Sequence, residues 1–148
     1  DMETNFNFKS SVCTDKNQSE RLLALGLKPE TADMFYSTIL ENDDIARVCY
    51  EDFWNSNKAI DGYIRRRCIP AWSLHRLWEL LGKIKKYEGE DELLYPRISL
   101  EEDVIFVSPK SIWARRNFCS PKGVYENIIN CFEELIKEGY FNKEYLEE

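Results

Sequence analysis

The chain predicts an α+β fold, a small antiparallel sheet packed with a central and a C-terminal amphipathic helix. Two segments place apolar side chains at helical spacing between good start and stop residues. Several short runs rich in β-branched and aromatic residues lie outside them. The 148 residues contain no repeat, linker or low-complexity tract, which suits one domain with residues 1–10 as a flexible or extended arm.

The central helix is the clearest element. Leu74, Leu77, Trp78 and Leu81 fall on one stripe, Ser73 is a good N-cap, and Gly82 is a good stop. In the C-terminal helix Ser120 is the expected N-cap and Pro121 the first helical residue. Its apolar face runs through Val124, Ile128, Cys131, Phe132 and Leu135 to Gly139.

The remaining elements follow in order. Phe6, Phe8 and Val12 are evenly spaced, as in an extended segment laid on the core. A short helix from Asn17 carries Leu22, Leu23 and Leu25, with Thr14, Asp15 and Asn17 as cap candidates and Gly26 as its stop. Pro29 then opens a second helix with Ala32, Phe35, Tyr36 and Ile39 inward, making a helical hairpin joined at Leu27 and Lys28. Strands are expected near Ile45–Tyr50 and Ile60–Ile69, around a turn at Asn55–Lys58. After the central helix come strands at Glu92–Ile98, Val104–Val107 and Ile112–Phe118, with Pro96 marking an edge or bulge. A short terminal helix begins at Asn142, pinned by Phe141, Tyr145 and Leu146.

Composition narrows the function. A net charge of −7 opposes general nucleic-acid binding and anionic membranes, both of which need a basic face. The polar stretch Asp1–Lys9 is no signal peptide, Met2 reads as the natural start, and no apolar run is long enough to span a bilayer. Cys13, Cys49, Cys68, Cys119 and Cys131 form no C-x-x-C pair and are odd in number, which fits a reducing cytoplasm; with one histidine they give no zinc pattern, and no cofactor is indicated. The 8 Phe, 8 Tyr and 4 Trp are enough rings to fill a core, line a pocket or cover a homo-oligomer interface.

Basic residues cluster despite the acidic balance. Arg65, Arg66 and Arg67 precede the helix start at Ser73, and Arg115 and Arg116 precede Ser120. Guanidinium forks beside helix N-termini are the common parts of a phosphate or carboxylate site. If residues 65–67 are extended, Arg65 and Arg67 share a face. The expected site is therefore Arg65, Arg67, Arg115 and Arg116 around a small anionic, nucleotide-like ligand, with Trp113 or Tyr63 stacking on it and Ser73 and His75 alongside. Ser73 and His75 stand two apart on a helix, so they do not make a nucleophile and base. Cys68 beside His75 reads as a buried thiol rather than a nucleophile. The acidic groups Asp43-Asp44, Glu51-Asp52, Glu90-Asp91-Glu92 and Glu101-Glu102-Asp103 leave a carboxylate-dependent hydrolase as a further alternative.

Four segments, Ser11–Leu23, Leu27–Tyr36, Ile69–Leu74 and Leu135–Leu146, in that order resemble a family of small uncharacterised proteins of phages and prophages of gut Bacteroidetes. Residues 41–67 depart from it. The resemblance implies a mobile-element product acting in a host bacterial cytoplasm and transfers no site residue. The reading that follows is a non-catalytic accessory protein binding a nucleotide-like anion, or else a host protein through its acidic surface.

Overall fold

The computed structural model describes residue 6 and residues 11–38, 44–54, 67–82, 84–85, 93–99, 102–107 and 115–148, with the backbone alone at 84–85, 93–95, 106–107 and 115–116. In order these form helix α1 (Lys16–Ala24), a 3-10 turn (Pro29–Thr31), strands β1 (Met34–Ser37), β2 (Ala46–Val48) and β3 (Cys68–Ala71), helix α2 (Leu74–Leu81), strands β4 (Ile84–Lys85), β5 (Leu93–Ile98), β6 (Val104–Val107) and β7 (Arg115–Phe118), helix α3 (Val124–Glu138) and a 3-10 turn (Lys143–Tyr145). The α+β class holds. Two antiparallel sheets form, β2-β1-β3 before α2 and the meander β4-β5-β6-β7 after it, where strands were expected on both sides of the central helix.

Helix α1 starts on a capping box, in which Asp15 accepts from the Gln18 amide at 2.7 Å and Gln18 accepts from the Asp15 amide at 3.0 Å. The expected second helix is absent. Only the 3-10 turn at Pro29–Thr31 remains of it, and the chain then enters β1. The reason is the period of burial: Ala32, Met34 and Tyr36 are buried, every second residue, so one face of a strand is satisfied where a helix would scatter them. Phe35 turns to the opposite face and stacks on Phe53 with centroids 4.4 Å apart. Ile39 and the turn at 55–58 lie outside the described residues. Phe6 and Val12 are 76% and 70% exposed, which fits the arm alternative rather than a segment laid on the core, and Phe8 is outside the described residues.

Helix α2 starts and stops at the expected caps: Ser73 Oγ accepts from the Arg76 amide, and Gly82 closes it at φ +53°. Its buried residues are Leu77, Leu80 and Leu81, while Leu74 and Trp78 are half-buried at the margin. Arg67 has helical conformation, so the extended alternation expected for 65–67 does not reach it. Pro96 meets β6 through Phe106, beyond the end of the two-residue β4, whose pairs stop at Leu94. Its missing N–H is tolerated in that edge-like position.

Helix α3 begins three residues later than expected. Ser120 caps a turn, accepting from the Lys122 amide at 3.2 Å, and Gly123 is the N-cap of the helix proper. Gly123 has φ +101° and ψ −178°, a conformation open essentially to glycine alone, and it separates Pro121 from the helix. Ile128, Ile129, Cys131, Phe132 and Leu135 then enter one core with Leu22, Leu27, Trp72, Leu77, Val104 and Phe141. The C-terminal segment is pinned as expected, though as a 3-10 turn: Asn142 caps it, Phe141 is buried, and the Lys28 and Glu147 amides bond to Tyr145 O and Gly26 O. No disulfide joins the five cysteines. Among the described residues no helix is long and apolar enough to cross a membrane.

Truncating fully buried Trp72 to alanine is expected to cost about 3 to 5 kcal/mol, and truncating half-buried Trp78 measurably less. Urea unfolding of the two variants checks the order. A second expectation concerns pH. Burial raises the Glu126 carboxyl, but hydrogen bonds from Arg21 and Gln18 outweigh it, so the group sits below the ordinary glutamate range. A depressed folded value stabilises above the unfolded one and is lost as pH falls through the folded one. Glu126→Gln should therefore be less stable than wild type at pH 7, by about 1 kcal/mol or less for this partly exposed pair. The gap should close as pH drops below the ordinary glutamate range, read from melting curves across pH.

Candidate functional site

The strand-to-helix junction at Trp72 and Ser73 organises the site. Thr14 pairs with Trp72 in both directions, its amide bonding to Trp72 O at 2.9 Å and its hydroxyl accepting from the Trp72 amide at 3.1 Å. The Trp72 indole N–H donates to Thr31 Oγ1 at 2.9 Å. Asp33 reaches across from the start of β1 and accepts from both the amide and the hydroxyl of Ser73, at 2.9 and 2.5 Å. A carboxylate thus occupies the electropositive start of α2, where the sequence suggests an anionic ligand. The chain supplies its own anion there.

The expected site residues divide accordingly. Ser73 is the N-cap held by Asp33, and His75 is exposed, with Nε2 3.3 Å from Glu79. Arg67 is exposed beside β3, its carbonyl accepting from the Thr38 amide at 2.8 Å. The backbones of Arg115 and Arg116 pair with Val107 and Phe106 in β7. Arg65, Tyr63 and Trp113 lie outside the described residues. Of these four arginines, Arg67 alone has a described side chain, and it is exposed.

A different arginine stands at the junction. Arg76, one turn into α2, donates to Thr31 O at 2.8 Å and to Glu79 at 3.4 Å. It lines a hollow of about 320 Å³ whose other walls are Glu30, Ala32 and Asp33, from the turn before β1, and residues 49–54 after β2. The second wall is a compact aromatic turn. Phe53 is buried and touches Tyr50 and Trp54 edge-on at 5.0 and 4.9 Å, and the Trp54 indole donates to Ala32 O at 3.0 Å. Asp52 holds a left-handed φ of +60°, tolerated by aspartate at a cost of about 1 to 2 kcal/mol. Glu51 and Asp52 are exposed on the rim.

Among the described residues the lining of the hollow is one-sided, with four carboxylates and one guanidinium. Its thiol is inert, because burial first, and then the Asp33 carboxylate, pushes Cys49 up to about 12. Burial likewise raises Cys68, which with exposed His75 gives no activated thiol. Among the described residues no three His, Cys, Asp or Glu side chains converge as a metal site. Two hollows of somewhat larger volume, near 380 and 410 Å³, offer less chemistry. One, at the ends of α2 and α3, has Glu79 as its sole charged group among the described residues; in the other Lys16 is already paired with Asp44 at 2.9 Å.

Glu51 and Asp52 are among the acidic groups that stand out in the sequence, and their convergence with Asp33 and Arg76 is set by the fold. The signal for Asp33 lay in the alternation Ala32, Met34, Tyr36, which turns Asp33 away from the buried face. Neither a family model, nor a curated protein, nor a solved structure matches the chain, so the site is read from its geometry. Asp33→Ala should cost about 1 to 3 kcal/mol by leaving the Ser73 amide and hydroxyl without their acceptor. Chemical unfolding of the variant beside wild type measures it.

Proposed function

We propose that the protein is a non-catalytic binding protein that engages a partner protein through its acidic face, taking a cationic side chain of that partner into the hollow between Arg76 and the 49–54 turn. The observation that carries this reading is the lining itself, four carboxylates and three aromatic rings around one concave space with a single guanidinium. A lysine or arginine head gains there from the carboxylates and from the negative faces of the rings. Asp33 and Arg76 are engaged with the fold, which leaves Glu51 and Asp52 on the rim to meet the incoming charge. The strained backbone of Asp52 suits a residue retained for what it meets rather than for stability.

The nucleotide-like reading has less support, since a second anion at the start of α2 would meet the Asp33 carboxylate. The resemblance to phage and prophage proteins adds that the partner is a protein of the host bacterial cytoplasm. A labelled peptide of alternating valine with lysine or arginine should bind with an affinity that falls as salt rises, and its glutamate counterpart should not bind. Glu51→Gln with Asp52→Asn should weaken the cationic peptide about tenfold, roughly 1.4 kcal/mol, by fluorescence anisotropy. If mono-, di- or cyclic nucleotides raise the melting temperature while the cationic peptide does not bind, the anion reading replaces this one.

A further inference from the structure

The first sheet has two edges, and the described residues close only one of them. The Cys49 amide bonds to Asp33 O at 2.9 Å, and from that pair the antiparallel alternation places Arg47 in the bonded position opposite Phe35. Ala46 and Val48, opposite Tyr36 and Met34, therefore direct their amides and carbonyls away from β1. The bond from the Thr38 amide to Arg67 O sets the phase on the other side, where Ile69 and Ala71 bond to β1 and Pro70 faces outward. Proline has no N–H to offer, so that edge is blunted. Beyond Pro70 it is covered, because Thr14 takes both outward groups of Trp72, and Cys13 bridges Ser73. The β2 edge has no such protection among the described residues. Val48 beside it is 74% exposed, and Ile45 and Tyr50 expose more than half of their surface.

From this geometry, and resting on the partner-protein reading above, we infer that β2 accepts an extended, basic segment of the partner as a fourth strand. The segment bonds to the outward groups of Ala46 and Val48, covers the Val48 side chain, and passes a lysine or arginine to the hollow that begins one residue later at Cys49. Charge selects this occupant. Exposed Glu51 and Asp52 follow the strand, while Asp44 before it is paired with Lys16 at 2.9 Å. A second copy of the chain would bring the same acids. In the two-fold register that pairs Ala46 of each copy with Val48 of the other, Arg47 would also stand against Arg47.

Amide hydrogen exchange followed by NMR tests the edge in the full chain. Without any partner, the Ala46 and Val48 amides should exchange far faster than those of Arg47 and Cys49; equal protection of all four would mean the edge is already covered and would overturn the inference. The alternating valine and lysine or arginine peptide should slow the Ala46 and Val48 amides by about tenfold or more. Methylating the peptide's backbone nitrogens on one edge should remove both binding and protection. Val48→Pro, which deletes an outward amide, should do the same with the melting temperature close to wild type. A peptide that responds to Glu51→Gln and Asp52→Asn but is indifferent to N-methylation refutes strand addition and leaves the hollow as the binding site. Failure of the cationic peptide to bind at all refutes both. Protection that rises with protein concentration alone, with dimers in sedimentation, assigns the edge to a second copy instead.

Discussion

The bonds between Asp33 and Ser73 are the constraint on which the rest of the described fold depends. They tie the start of β1 to the start of α2, and Thr14 locks the adjacent Trp72 from the other side. Trp72, with no exposed surface, joins the core that α2 and α3 share with α1 and the C-terminal turn. With α2 anchored this way, Arg76 falls beside Thr31, and the 49–54 turn closes against Ala32 through the Trp54 indole. The hollow is a product of these few polar bonds. The same Thr14 contacts cover the β3 edge of the first sheet just beyond Pro70.

What the sequence revealed follows from how local each signal was. Ser73, the leucines of α2 and Gly82 lie within ten residues and settle that helix by capping and periodicity alone. The capping role of Asp15 was legible for the same reason. Residues 29–37 were misread because Ala32, Phe35 and Tyr36 fit a helical face as well as Ala32, Met34 and Tyr36 fit a strand, and only pairing with β2 and β3 separates the two. At α3 the proline and serine signals were real but served a turn, since the Gly123 conformation interrupts them. The strand order within each sheet is a long-range outcome that no window of residues carries.

The candidate site was legible in its parts and not in its assembly. The sequence pointed to an anion beside the start of α2, and a carboxylate is there, but it is Asp33, forty residues earlier in the chain. Likewise Glu51-Asp52 stood out as an acidic pair, and its convergence with Trp54 and Arg76 is tertiary. The described hollow is lined by carboxylates and aromatic side chains, and burial pushes its thiol well above the ordinary range. A surface of that kind attracts lysine and arginine, in keeping with the net charge of −7.

The most direct measurement of this account is an NMR titration of the labelled protein with an arginine-containing extended peptide and, separately, with a nucleotide. The account predicts that the peptide shifts the Trp54 indole N–H, the amides of residues 46–54 and the Arg76 side chain together, and that the nucleotide leaves them in place. Shifts confined to β7 and the start of α3, produced by the nucleotide and not by the peptide, would contradict it.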